Sequence, residues 1–333
     1  MTDATASDAT PTADGSVQSL LRGFALATAI TSLTFILNNY LIFWQDWPGP
    51  HGAFGSGDTL RGWIQVAIYV LPVAVVFAYA FSAKRRTMRD DSALLSAVSA
   101  FIVRWAFWIV LLVGLADAII SFIRIEGYLE QWVGIELTRD LGVSRLRGAW
   151  VHYPLCLVAG VIAVFTRSIS FVWLALLVVI AEFQIVVARF IFSYEQAFMG
   201  DLVRFWYAAL FLFASAYTLI EEGHVRVDVL YSGFSERGKA WCNAIGSVFL
   251  GLPLCWVILV LGLGSKAAII NSPILAYETS QSGFGMYVKY MMAGFLAVFA
   301  LSMLIQFMSY FLDYAADLLG LKRRQPHHPQ SAP

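Results

Sequence analysis

Charged side chains are scarce in this chain. Lys and Arg number 22 and Asp and Glu 22 among 333 residues, so 13% of positions are charged and the formal net charge is zero. A soluble globular domain carries roughly 25% charged residues. The shortfall argues against a water-solvated fold, and the charge balance excludes the basic footprint of a nucleic-acid partner. Cysteine is rarer still. Cys156, Cys242 and Cys255 fall in or beside apolar stretches, without metal-ligand spacing or a paired framework, and read as small hydrophobes. Of five histidines, only His152 lies within an apolar run, so the facing in-span histidines of a b-type haem are missing. No phosphate-cradling loop, dinucleotide loop, nucleophile elbow or HExxH pair occurs. The expectation is a protein that is not an enzyme, with no catalytic, cofactor-binding or metal-binding residue. The segment Met1–Val17 holds Asp3, Asp8 and Asp14 but no Lys or Arg. It lacks the basic start of a cleavable signal peptide and reads as a disordered cytoplasmic tail.

What fills the chain is apolar: 59% of residues are hydrophobic and the mean hydropathy is +0.71. A hydrocarbon core of about 30 Å takes roughly 20 apolar residues as a helix. Eight such runs occur: Phe24–Phe43, Trp63–Phe81, Phe101–Ile123, Ala149–Phe165, Ile169–Ala188, Leu202–Ile220, Trp241–Leu263 and Met291–Leu312. They are continuous rather than alternating, which favours helices over a barrel. The fold class is therefore all-α, a polytopic transmembrane protein of about eight spans. Lys84, Arg85, Arg86 and Arg89 follow the second run, and Lys322, Arg323 and Arg324 follow the eighth. The positive-inside rule places both clusters, and so both termini, in the cytoplasm. Arg124, Arg139, Arg145 and Arg147 then fall on the outside, against that rule, in a long loop of the kind that translocates more tolerantly. Within this loop Ile125, Tyr128, Leu129, Trp132 and Val133 recur at helical spacing, which predicts an amphipathic helix at the outer interface.

Three charges lie well inside spans: Arg104, Asp117 and Glu182. A charge at the bilayer centre costs about 2.5–3.5 kcal/mol on insertion scales. Arg104 is near the cytoplasmic end and can snorkel. Asp117 and Glu182 are deeper, and Arg124 and Arg189 follow them by two helical turns along the same face. A shift of 65 residues superposes these pairs, together with Leu111-Leu112-Val113 on Leu176-Leu177-Val178 and Arg139 on Arg204, which is compatible with a parallel duplication. Either acid is a proton or cation site, or both are hydrogen-bonding groups between helices or protonated acids facing protein. Neither has a dense set of polar residues near it in sequence, and no span shows the paired Gly/Pro interruption of a midplane substrate site.

The most informative stretch is MGDLVRFWYAALFLFASAYTLIEEGHVRVDVLYSGFSERGKAWCNAIG, residues 199–246. Asp201 and Arg204 open a span that ends in Glu221, Glu222, Gly223 and His224, and the run continues through Arg226 to Asp228. Val225, Val227 and Val229 alternate with Arg226 and Asp228, so an extended segment would separate valines from charges. Ser235, followed by Glu236, is placed to cap the next helix. The HVRVD run after an acidic pair, with Arg189, Tyr194 and Asp201 upstream and Ser272-Pro273, Glu278-Thr279-Ser280 and Gly283 downstream, resembles the small DctQ-type membrane subunit of tripartite ATP-independent periplasmic (TRAP) transporters. The likeness covers Arg167–Ala315 and is closest to the extended form of mannitol/chloroaromatic-type systems; Asp201 stands where a Glu is usual.

The resemblance implies a scaffold subunit of a secondary, ion-gradient-driven transporter for organic acids in a bacterial inner membrane. Its partners would be a large DctM-type permease, a DctP-type periplasmic substrate-binding protein and membrane lipid. Residues 1–20 would be a cytoplasmic tail, 21–166 a four-helix extension, 167–315 the DctQ-like four-helix domain and 316–333 a basic cytoplasmic tail. Arg189, Asp201, Arg204, Glu221, Glu222, His224, Arg226 and Asp228 are the family-motif positions. Gly246, Ser247 and Gly251, with Ala293, Gly294, Ala297 and Ala300, offer small-residue faces for the partner or for packing within the chain. The alternative is an autonomous carrier or channel using Asp117 or Glu182.

Overall fold

A computed structural model of the protein describes residues 15–55, 57–83, 85–167, 172–194, 196, 198–220, 229–280 and 285–321. Among the described residues there is no strand, and eight helices are long and apolar enough to cross a membrane. These are α1 (Gly15–Trp44), α2 (Thr59–Ser82), α3 (Met88–Ile125), α5 (Ser144–Phe165), α6 (Val172–Phe192), α7 (Met199–Ile220), α8 (Glu236–Leu263) and α10 (Lys289–Leu318). Two shorter helices lie between spans, α4 (Tyr128–Leu141) and α9 (Asn271–Ala276). The chain is an all-α, multi-pass membrane protein, and each span overlaps one of the apolar runs, the first three residues of the fifth run lying outside the described residues.

Local chemistry sets the helix starts. Thr87 and Asp90 form a reciprocal capping box at α3, the Thr87 hydroxyl accepting from the Asp90 amide at 3.2 Å and the Asp90 carboxylate from the Thr87 amide at 3.0 Å. Ser235 caps α8 by accepting from the Gly238 amide at 3.2 Å, at the position its sequence predicts. Two spans carry a wide π turn that the hydrophobic runs do not reveal, Gly148–His152 in α5 and Ser247–Gly251 in α8. Each turn stands just ahead of a proline, Pro154 or Pro253. Proline has no N–H to give the preceding turn, and a wider turn re-pairs the carbonyls without breaking the span.

The centre of the bundle is the antiparallel pair α3 and α10. The Ser92 hydroxyl donates to the Ser309 carbonyl at 2.9 Å and the Ser309 hydroxyl to the Ser92 carbonyl at 2.9 Å. Two turns along, Ser99 donates to the Ser302 carbonyl, again at 2.9 Å. Small hydroxyl residues let two backbones approach where hydrocarbon gives no hydrophobic drive, and they supply the interhelical hydrogen bonds. Around this pair α10 also meets α1, α7 and α8, while α3 meets α5 and α7. Gly251 belongs to this internal packing, since a Cβ there would stand 2.6 Å from the Phe307 ring, whereas Gly246 faces open space. Of the small residues set aside for a partner, Gly251 is thus used inside the chain.

At the end where α1 begins, Arg22 is buried against Asp91 at 2.6 Å. Arg22 also donates to the carbonyls of Ala80 and Ala83, both at 3.3 Å, and Tyr79 donates to Asp91 at 3.2 Å, so α1, α2 and α3 meet in one polar knot. Beside it Arg89 pairs with Asp317 at 2.7 Å and ties α3 to the end of α10.

A helix, α4, is present where the apolar residues recur at helical spacing after the third run. It turns sharply at Gly134, where φ is 83° and only glycine is unstrained, and it buries Leu129 while exposing Tyr128, Trp132 and Ile135. By contrast with α3, α6 lies at the rim and packs chiefly on α7. In its most apolar window 11% of residues are buried, against 44% in α3.

Candidate functional site

At the opposite end of the bundle from Arg22, α3 carries Asp117, which is wholly buried. Its Oδ1 accepts from Arg147 Nη1 at 2.9 Å and lies 3.1 Å from His152 Nε2. Its Oδ2 accepts the backbone N–H of Tyr287 at 2.8 Å. Arg147 is equally buried, and it also donates to the Leu141 carbonyl at 2.7 Å and to Ser121 at 3.2 Å. His152 Nδ1 lies 2.8 Å from the Tyr290 hydroxyl. With Nε2 protonated toward the carboxylate, Nδ1 accepts from that hydroxyl, and every polar group of the imidazole is used.

The π turn explains how α5 supplies both partners. At 3.6 residues per turn Arg147 and His152, five apart, would point roughly 140° away from each other. A turn closed by i to i+5 bonds brings such residues nearly into line. Gly148, between them, is in tight contact: a Cβ there would lie 2.8 Å from the Tyr277 ring and 3.0 Å from the Tyr290 hydroxyl. Tyr287 completes the cluster. The guanidinium carbons of Arg147 and Arg124 sit 4.2 and 4.8 Å from its ring centroid. Its hydroxyl accepts from Arg124 at 2.5 Å and donates to the Gly142 carbonyl at 2.8 Å. Among the described residues Arg147 Nη2 and Arg124 Nη2 have no acceptor, and the ring face is the partner these cations meet there.

A second carboxylate grips the same loop from the other side. Asp201, in the first turn of α7, accepts through Oδ2 from the Met286 amide at 3.1 Å and from Ser280 Oγ at 2.7 Å. Its Oδ1 takes the exposed Arg204 at 3.3 Å. The adjacent amides of Met286 and Tyr287 are therefore held by acids on two different helices. Lys289 pairs with Glu278 at 2.6 Å, and the Tyr290 amide donates to the Glu278 carbonyl at 3.0 Å, which closes the loop onto the start of α10. A cavity open to the surface lies beside Asp201, lined by Arg204, Ser280, Met286 and Lys289.

The other sequence-selected residues scatter. Arg104 is half-buried, its guanidinium 6.0 Å from the Phe101 ring and its Nε without an acceptor. Glu182 and Arg189 lie exposed on α6. Glu221, Glu222, His224, Arg226 and Asp228 lie outside the described residues, as do Lys84, Gly283 and the basic residues 322–324. The absence of a polar set around Asp117 in sequence is corrected here, because its partners come from α5 and from the loop before α10, 30 and 170 residues away. Arg147, His152 and Tyr287 were missed, as were Arg22 and Asp91. One signal was present: the four arginines between the third and fourth apolar runs, which go against the positive-inside expectation. Two of those four, Arg124 and Arg147, are engaged inside the protein rather than facing water.

Among the described residues no group of three His, Cys, Asp or Glu side chains could hold a metal ion. Asp117 is enclosed by fixed intrachain donors. The arrangement is suited to holding a backbone segment still.

Residues 176–314 match the sequence family described as "Tripartite ATP-independent periplasmic transporters, DctQ component". No curated protein and no solved structure matches the chain. The matched segment takes in Asp201, the gripped loop and most of α10, while Asp117, Arg147 and His152 precede it. Residues 176–314 are thus similar to the DctQ component of TRAP transporters, and a buried acid from the preceding helices is fastened to that matched region.

Proposed function

We propose that this chain is a static scaffold in the membrane for a large DctM-type permease, working with a DctP-type periplasmic binding protein in an ion-gradient-driven, ATP-independent importer of organic acids. The compartment would be a bacterial inner membrane. Both termini would be cytoplasmic, so that the Asp117 and Asp201 grips stand at the periplasmic end. Residues 1–20 and 316–333 would be cytoplasmic tails. Residues 21–166 would be an extension that braces the family region 167–315, with the motif residues Glu221, Glu222, His224, Arg226 and Asp228 ordering the opposite end.

The observation that carries this reading is the occupation of Asp117. Two side chains and one backbone amide of the same protein fill its oxygens. An acid that binds a coupling ion or solute has to be reachable and to exchange partners during the cycle. A scaffold requires fixed geometry, and a buried, fully partnered carboxylate provides it. The competing reading, an autonomous carrier built on Asp117 or Glu182, has an enclosed acid at one position and a rim-exposed one at the other. Purification in mild detergent from its native membranes tests the proposal. The large permease should co-elute in a fixed ratio. Its absence would count against a scaffold, and solute uptake by this chain alone in liposomes would refute it.

A further inference from the structure

Glu182 is ten residues from either end of α6, about 15 Å along the axis each way. It therefore sits at the middle of a hydrocarbon core about 30 Å thick. It is exposed, and among the described residues it has neither a hydrogen bond nor an ion pair. Its neighbours along the same stripe are Ala175, Val178, Ile185 and Arg189, recurring at alternating three- and four-residue steps. That spacing is the seam of a helix that packs at a shallow angle against another helix. The half-buried Val178 and Ile185 on its near side lean on the core, while Glu182 and Arg189 are exposed. A carboxyl group open to lipid at mid-bilayer is unfavourable and is met by a donor from a neighbouring span or by a water-filled path. The apolar groove on this helix is lined by Leu177, Ile180, Ala181 and Gln184, on the other flank.

We infer that the Glu182 face of α6 is the contact surface for a membrane-spanning helix of the partner permease, and that this helix presents a hydrogen-bond donor or a cation to Glu182 at mid-bilayer. The inference rests on the scaffold reading for the identity of the partner. It adds which surface is used and what chemistry meets it. The rim position of α6 leaves that surface clear, and Arg189, two turns toward the end that carries Asp117 and Asp201, offers the same partner helix a second polar contact near the interface.

The test uses the full-length chain co-expressed with the large permease of the same transporter. A photo-crosslinking amino acid is placed at Val186, beside Glu182, or at Trp132 on α4 as a control position. Crosslinks from position 186 should map to a membrane span of the permease that bears a polar or basic residue, and those from position 132 should not. Glu182→Leu should reduce recovery of the complex roughly threefold, as expected for loss of one average hydrogen bond in lipid, and Glu182→Gln should retain more of it. If the permease co-purifies but position 186 crosslinks only to lipid or to a second copy of this chain, the inference fails and the scaffold reading stands. If Glu182→Leu leaves recovery unchanged, the inference fails in the same way. If the unmodified chain brings down no permease, the scaffold reading fails, and the inference with it.

Discussion

Asp117 and Glu182 occupy corresponding positions in two helices 65 residues apart, and an arginine follows each by seven residues. Their surroundings are opposite. Asp117 lies on α3, which with α10 is the most enclosed of the spans, and gathers Arg147, His152 and the Tyr287 amide around it. Arg124 reaches the same cluster through the Tyr287 hydroxyl. Glu182 lies on α6 at the rim and has no partner among the described residues, and its Arg189 is exposed. An acid inside a membrane protein thus has two stable fates. It is consumed by the fold, where it fixes geometry, or it is left for something outside the chain. A shared position in a sequence echo does not choose between them; the packing of the helix that carries it does.

The largest effect that sharpens this contrast is expected at Asp117. Replacing it with leucine leaves Arg147 buried and unpaired, which costs about 3–5 kcal/mol. The loss should be read as earlier unfolding in an SDS titration of the detergent-purified chain. Combining Asp117→Leu with Arg147→Met removes the stranded charge and should recover most of the loss. A cost below about 1 kcal/mol for the single change would mean that water reaches the cluster and that Asp117 is not enclosed.

Next in size is Asp201→Ala. It strips the acceptor from the Met286 amide and from Ser280, and a buried donor left unmade costs about 1–3 kcal/mol. Hydrogen exchange should rise at Met286 more than at Tyr287, whose amide keeps Asp117. Equal exchange at both would show that the two acids do not act separately on the loop.

The span count was legible in the sequence because hydrocarbon imposes length and apolarity residue by residue. Each of the eight apolar runs became a helix, and α4 appeared where Tyr128, Leu129 and Trp132 recur at helical spacing. The site was legible only in half. Asp117 and Asp201 stand out as charges inside or at the edge of spans. Their partners do not, because Tyr287 contributes a backbone N–H, which every residue but proline has. His152 looked like a lone histidine near a span end, and only the π turn that Pro154 accompanies brings it into line with Arg147. Arg22 lies just before the first apolar run, where nothing in the sequence sets it apart, yet it is buried on Asp91. The serine steps Ser92 to Ser99 and Ser302 to Ser309 share a seven-residue spacing, but pairing them requires knowing that α3 and α10 are neighbours.

Those serines give a smaller effect. Ser99→Ala removes one interhelical hydrogen bond and should cost about 0.6 kcal/mol, the average for such bonds within membranes. Alanine is smaller than serine, so the close approach of α3 and α10 survives. A loss several times larger in the same SDS titration would mean that the serine hydroxyls, rather than the apolar contacts around them, hold the central pair together.

The smallest effect is expected at Glu182, and it bears most directly on the contrast with Asp117. In the isolated chain Glu182→Gln breaks no described contact, so its unfolding midpoint in detergent should stay within about 0.5 kcal/mol of the parent, as for surface changes away from any special feature. Asp117→Asn, an equally conservative change, should cost more, because Oδ1 and Oδ2 both face donors and an amide nitrogen at either place sets N–H against N–H. The ratio of the two amide substitutions therefore measures how far the fold has absorbed each acid. If Glu182→Gln destabilised the isolated chain as much as Asp117→Asn, then α6 would be folded against part of this chain in solution, and its outward face would not be free for a partner.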